Sequence, residues 1–232
     1  MHDQPAHHGR RHRPHRRAHL AAGLIGLALA ALLALEPRPA AAERILVTGD
    51  SMMYVMQHPL ARRLRALGHE VKTDGRFGTG ITKPHILDWQ EHAIAQASEF
   101  HPEATFMFIG ANDLFPIAGA RCCGERWVEL YARRARRIIR IYGRTVWLTL
   151  PAPRDRGLAR GFRAVNRAIR RATTAERATL LDLVPVFTPG WRYRRTMRWE
   201  GRRVVVRQLD GVHLGHEGVK IASDLAVAAL GR

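Results

Sequence analysis

Two short clusters at opposite ends of the chain carry the residue types needed for acyl transfer. Gly49-Asp50-Ser51 closes an apolar run, and Asp210-Gly211-Val212-His213 precedes the last amphipathic segment. A serine hydroxyl is a weak nucleophile until an imidazole removes its proton. The imidazole keeps the right tautomer when a carboxylate accepts from its other nitrogen. Ser51, His213 and Asp210 supply these three groups. The Asp-x-x-His spacing lets both side chains leave one turn, so Asp210 can hold the ring while Nε2 faces the serine. Each residue also has a plainer use. Asp and Ser are good helix N-caps, and surface histidines are ordinary in a chain with 13 of them. Asp50 is read as a turn or capping residue rather than a catalytic one, and His216 as a solvent-facing histidine of the following helix.

The elements that would position these residues alternate throughout. Short apolar runs at 44–48, 69–73, 104–109, 145–150 and 178–183 read as strands. Helical periodicity at 52–67, 86–100, 127–142, 158–176 and 215–230 separates or follows them. Residues 197–206 read as a hairpin turning near Glu200-Gly201. This alternation predicts an α/β fold: a three-layer α/β/α sandwich of flavodoxin-like type with a five-stranded, mostly parallel sheet. In such a sheet, ligands bind beyond the carboxyl ends of the strands. Ser51, Gly80, Asn112, Asp210 and His213 all follow strands and fall on that edge.

Four blocks in this order resemble the SGNH hydrolases, the GDSL esterase/lipase superfamily. They are Gly49-Asp50-Ser51, a glycine of Gly78-Thr79-Gly80, Gly110-Ala111-Asn112-Asp113 and Asp210-Gly211-Val212-His213, and the match covers residues 44–230. The phrases around Gly78–Pro84 and Gly110–Asp113 are similar to a bacterial envelope subgroup associated with O-acetyl groups on peptidoglycan or other polysaccharides. The resemblance implies Ser51 as nucleophile, His213 as base and Asp210 as orienting acid. It implies an oxyanion hole made of the Ser51 and Gly80 N–H groups and the Asn112 side-chain amide. Gly78 is the competing register for Gly80, Asn112 has the alternative use of an Asx turn, and Asp113 is expected to cap or brace its loop. Met52 and Met53 stand where the motif has Leu, a tolerable apolar exchange.

The first 42 residues differ in composition from the rest. Arg10, Arg11, Arg13, Arg16 and Arg17 precede an uncharged Ala/Leu run from Leu20 to Leu35, then Pro37, Pro39 and the small residues Ala40-Ala41-Ala42. This is the pattern of an export signal, with a retained N-terminal membrane anchor as the alternative. The remaining residues, 43–232, make one domain. With six arginines and two acids in residues 1–42, the remainder keeps 32 basic against 18 acidic residues. The excess is either a set of solvated helix faces or an attraction to a polyanion, with the segment from Arg192 to Arg207 the foremost contributor. The two cysteines, Cys122 and Cys123, are neighbours, and adjacent cysteines depart from ordinary disulfide geometry; they are read as loop residues, with pairing to each other or to another chain in an oxidising compartment as the alternative. Trp89, Phe115, Trp191, Tyr193 and Trp199 are candidates to line a sugar or acyl pocket, Trp89 and Phe115 from loops.

No phosphate loop, zinc-ligand spacing or dinucleotide fingerprint is present, so no cofactor or metal is expected. The chain therefore reads as an exported, periplasmic or extracellular serine esterase. Its expected partner is an acylated cell-envelope glycan or another small ester substrate, with a polyanionic surface as a further partner and no nucleic acid. An O-acyltransferase using the same residues, or a non-catalytic basic glycan-binding protein, are the alternatives.

Overall fold

The computed structural model describes residues 42–231. The expected signal or anchor lies outside the described residues, apart from Ala42. Among the described residues, no helix is long and apolar enough to cross a membrane.

Five strands form one sheet: β1 (Arg44–Gly49), β2 (Glu70–Gly75), β3 (Ala104–Phe108), β4 (Thr145–Leu148) and β5 (Thr179–Leu181), in the order β2-β1-β3-β4-β5. All four pairings are parallel, with Ile45 opposite Ala104 and Val71 in the two registers of β1. The three inner strands are buried on both faces, apart from Arg44 at the start of β1, which is why they read as continuous apolar runs rather than alternating ones. Helices α1 (Ser51–Ala66), α2 (Trp89–Phe100), α3 (Glu125–Tyr142) and α4 (Arg156–Ala175) make the crossovers. The last helix, α6 (His216–Leu230), packs against α1, whereas α2, α3 and α4 pack in succession. With right-handed crossovers, a turn back from β1 to β2 followed by steps in the other direction sends α1 to one face and α2–α4 to the other. Strand order thus reverses beside β1, and the nucleophile candidate sits at the end of β1.

The expected elements are present, with shifted ends. Helix α2 begins at Trp89 rather than near Ile86 because the Asp88 carboxylate accepts from the Gln90 and Glu91 N–H groups. The run at 145–150 leaves the ladder after Leu148, and the Leu150 N–H and C=O are both taken by the Asn166 side chain. A short helix, α5 (Val184–Phe187), and a 3-10 turn (Pro189–Trp191) follow β5 within a stretch that shows no periodicity. Strands β6 (Thr196–Trp199) and β7 (Arg202–Val205) form the antiparallel hairpin, separate from the main sheet. Its two turn residues, Glu200 and Gly201, both have positive φ, the conformation a two-residue hairpin turn demands.

Cys122 and Cys123 lie in a loop, as expected, and are bonded to each other as a disulfide, with a cis peptide bond between them. One reading needs correction. Trp89 does not lie on a loop: it is the first residue of α2 and, at 2 % exposure, belongs to the buried core.

Candidate active site

Ser51 owes its position to the sharp exit from β1. Gly49 has φ of +153°, and a Cβ there would lie 2.1 Å from the Phe108 carbonyl oxygen, so only glycine lets β1 and β3 stay adjacent at this point. The Asp50 carboxylate then ties two loops together. Oδ1 accepts from the Met52 N–H at 2.8 Å, capping α1, while Oδ2 accepts from Gly110 N–H at 2.9 Å and Ala111 N–H at 3.0 Å. Complete burial pushes the Asp50 carboxyl up to about 7, although the three N–H groups favour its ionised form. The capping use expected for Asp50 is therefore half of its role. The other half holds the loop after β3 against the turn after β1. Met52 and Met53 are both fully buried behind it.

The histidine arrives on a turn pinched at its base. Arg207 and Leu214 bridge, and the Gln208 N–H donates to the His213 carbonyl at 3.0 Å. Beneath the turn lies Arg207, 1 % exposed, whose Nη2 donates to the carbonyls of Gly211 (3.2 Å) and Val212 (2.8 Å). Burial lowers this guanidinium to about 10. Within the turn, Asp210 Oδ1 accepts from the N–H groups of Val212 (2.8 Å) and His213 (3.0 Å), and Oδ2 lies 2.6 Å from His213 Nδ1. Partial burial opposes ionisation of Asp210, but these hydrogen bonds outweigh it and hold the carboxyl below the usual range. An ionised Asp210 accepts from Nδ1–H, and in that tautomer Nε2 is an acceptor. Nε2 lies 2.9 Å from the Ser51 hydroxyl, across a sequence separation of 162 residues. An acceptor nitrogen facing a serine hydroxyl can take its proton.

The other residues of the sequence blocks are tied to one another. Asn112 Nδ2 donates to the Thr79 carbonyl at 2.9 Å, which fixes the amide and commits one of its two hydrogens. Gly80 packs against the fully buried Asp113, and a Cβ at Gly80 would meet Asp113 Oδ1 at 2.4 Å. Gly78 is instead a left-handed turn residue, with φ of +76° and open space where a Cβ would go. Asp113 braces the loop from within: it accepts from the Thr82 N–H (2.7 Å) and hydroxyl (2.9 Å) and from the Tyr131 hydroxyl (2.7 Å), and burial raises its carboxyl. Among the described residues, the N–H groups of Ser51 and Gly80 meet no hydrogen-bond acceptor. His216 points to solvent, its side chain 81 % exposed.

Sequence reasoning missed Phe77 and Tyr54. The Phe77 ring, 70 % exposed, stacks beside the His213 imidazole at 6.4 Å between centroids, and Tyr54 meets Phe77 edge-on at 6.1 Å. An exposed aromatic pair thus lies against the imidazole that faces Ser51. The signal was available only as two apolar residues following Ser51 and Gly75, and nothing in their spacing sets them apart from core residues. Among the described residues, no cluster of His, Cys, Asp or Glu could hold a metal ion.

Solved structures share this fold at low identity. An alpha/beta hydrolase enzyme from the metagenome of Lake Arreo superposes with a TM-score of 0.56 at 15% identity, covering 84% of this chain and 98% of its own. For a GDSL-like lipase from Bacteroides thetaiotaomicron the values are 0.55, 15%, 89% and 96%. For a variant of an acetyl xylan esterase from Geobacillus stearothermophilus they are 0.57, 17%, 84% and 97%. No curated protein matches the chain. Residues 44–229 match the family described as "Protein of unknown function (DUF459)", and the chain belongs to that family.

Proposed function

We propose that the protein is a serine ester hydrolase that removes a short acyl group, acetyl foremost, from a cell-envelope polysaccharide through an acyl-enzyme. The observation that carries this reading is the unbroken series Asp210 Oδ2, His213 Nδ1, His213 Nε2 and Ser51 Oγ, with separations of 2.6 and 2.9 Å at its two links. Ser51 attacks the ester carbonyl while His213 takes its proton, and the imidazolium returns that proton to the departing alcohol. The N–H groups of Ser51 and Gly80 and the remaining hydrogen of the Asn112 amide receive the oxyanion. Water, deprotonated by the same imidazole, then releases the acid. No cofactor enters this scheme.

The acetyl preference is drawn from the fold, since acetyl xylan esterases are among the proteins that share it. Export is inferred from the leader pattern in residues 1–42. Reaction with a fluorophosphonate probe followed by peptide mass mapping tests the mechanism: modification at Ser51 is expected, and failure to label a folded protein overturns it. N-terminal sequencing tests export separately, with a mature protein beginning at or near Glu43 as the expected result.

A further inference from the structure

Beside the Asp210–His213 turn lies a cavity of about 680 Å³ between the segment Ala152–Arg154, the first two turns of α4 and the segment Trp191–Tyr193. Five of the residues lining it are arginines: Arg154, Arg156, Arg160, Arg163 and Arg192, all exposed. Among the described residues, none of the five pairs with a carboxylate. The far end of the same helix behaves differently, for Arg170 is bound by Asp182 and Arg171 by Glu125. The nearest carboxylate in sequence, Asp155, is used as the N-cap of α4, accepting from the Leu158 N–H.

Folding stability alone does not account for this placement. A helix N-terminus carries partial positive charge and favours acidic residues, yet α4 has no acid in its first turn and begins with an arginine. The aromatic residues hold guanidinium groups in place. Arg163 lies over the Trp191 ring at 5.0 Å, and the buried Arg207 lies over the Tyr193 ring at 5.5 Å. The Trp191 Nε1 and Tyr193 hydroxyl are buried without a hydrogen-bond partner. With Arg163 occupying the Trp191 face, the cavity is built to receive charge rather than to stack a flat base.

The cavity also touches the triad's support. The Arg154 N–H donates to the Gly211 carbonyl at 2.9 Å, and its Nη2 reaches the Asp210 carbonyl at 3.4 Å. The cavity thus adjoins the turn that carries Asp210 and His213.

We propose that this cavity is an anion subsite that binds carboxylate groups of an acidic glycan, so that the acylated substrate is itself polyanionic. Guanidinium forks match carboxylates in pairs of parallel hydrogen bonds, and a glycan presents such groups at regular intervals along its length. The assignment of the bound polymer as substrate rests on the esterase reading above, whereas the anion site does not.

The test uses the full chain in two arms. In the binding arm, Ser51→Ala protein is titrated with polygalacturonate, with neutral xylan, with single-stranded DNA and with anionic phospholipid vesicles. Polygalacturonate is expected to bind and xylan not to. Adding Arg160→Gln and Arg163→Gln is expected to weaken polygalacturonate binding by about tenfold or more, the scale of losing charge-assisted hydrogen bonds. Arg133→Gln with Arg137→Gln on the exposed face of α3 serves as the equal-charge control. In the activity arm, the Arg160/Arg163 variant with Ser51 intact is expected to lose a similar factor in kcat/KM on acetylated polygalacturonate. Its turnover of a neutral aryl acetate should stay within about twofold of the parent, as expected for a change remote from the reacting atoms. Arg192→Gln, outside any helix, repeats both arms in case the double variant fails to fold. The inference is overturned if binding is unchanged in the cavity variants, if the α3 control loses as much, or if DNA or vesicles bind more tightly than polygalacturonate through the same arginines. Cavity-dependent binding by a protein that hydrolyses no ester would leave the anion site standing and remove the esterase reading. Aryl acetate turnover with no effect of the arginines on either arm would do the reverse.

Discussion

Among the described residues two Asp–His pairs lie close, Asp74–His92 and Asp210–His213, and they are arranged differently. In the pair Asp74–His92, the carboxylate also takes Gln96 Nε2 at 2.7 Å and the Arg76 guanidinium, and His92 Nε2 lies 2.9 Å from it. Gln96 continues inward to the Thr48 hydroxyl and accepts from the Tyr142 hydroxyl. This is a polar network joining β1, β2, α2 and α3, in which His92 Nε2 is taken by the carboxylate itself. In the pair Asp210–His213, the carboxylate is bound by the imidazole and two local N–H groups, and the second ring nitrogen faces a serine hydroxyl. An Asp–His contact alone therefore says little. Chemistry requires that the far nitrogen be left with something to deprotonate.

The largest expected effect separates the two pairs. Ser51→Ala or His213→Ala should lower ester turnover by on the order of 10³ or more with the fold intact, as measured by steady-state kinetics beside circular dichroism. His92→Ala should leave kcat within a few-fold of the parent while lowering the unfolding midpoint. Comparable turnover loss in His92→Ala and His213→Ala would erase the distinction. Next in size, Asn112→Ala should cost roughly 10²–10³ in kcat with a smaller change in KM, as for loss of one oxyanion donor. A change confined to KM would reduce Asn112 to a brace for the Thr79 carbonyl.

The pH dependence of stability sharpens the comparison on the structural side. Partial burial works against ionisation of Asp74, but hydrogen bonds from His92, Arg76 and Gln96 bring its carboxyl down to about 2, below an ordinary value of 3.8. The unfolded chain then holds that proton more tightly than the native state, so this contribution is present above about pH 4 and is lost as pH falls toward 2. Asp50 has the opposite sign: its carboxyl is raised to about 7, so the native state holds the proton and its contribution to stability declines as pH rises from about 4 to 7. Denaturant unfolding of Asp74→Asn at neutral pH should show a loss of about 1–3 kcal/mol, the usual cost of breaking a buried polar network. The variant's stability should also fall less steeply between pH 4 and 2 than the parent's. An unchanged acid slope would show that Asp74 is held no more tightly in the native state than in the unfolded chain.

The smallest effect concerns salt. As the Debye length falls from about 10 Å at 0.1 M to about 3 Å at 1 M, attraction of an acidic glycan weakens while a neutral aryl acetate is unaffected. Activity on the former should drop and on the latter stay nearly level. An equal response of both would assign the net positive charge to solvated surface alone.

Strand ends and the residues just beyond them were legible in the sequence because buried parallel strands read as unbroken apolar runs and glycine marks their exits. Ser51, Asn112, Asp210 and His213 could be placed on one edge from that pattern alone, and the family blocks supplied their order. What the pattern hid depends on tertiary placement. Arg207 was counted with the charged segment from Arg192 onward, but the bridge to Leu214 folds it under the triad turn, so it is unavailable to any polymer. Arg192 of the same segment does line a cavity, together with residues of α4 some 30 positions earlier. Asp74 and His92 are 18 residues apart and belong to a strand end and a helix. No local spacing signals their meeting.

The double hold of Asp50 has a consequence for how the site fails. Nucleophile turn and Asn112 loop share one buried carboxylate, so they cannot open separately, and their amide hydrogens should exchange only with global unfolding. The Asp210–His213 turn is a surface loop whose carboxylate is 42 % exposed. Its amides should exchange through small local openings. Mild denaturant would then disengage the base from an otherwise assembled nucleophile, and esterase activity would decline ahead of the cooperative transition.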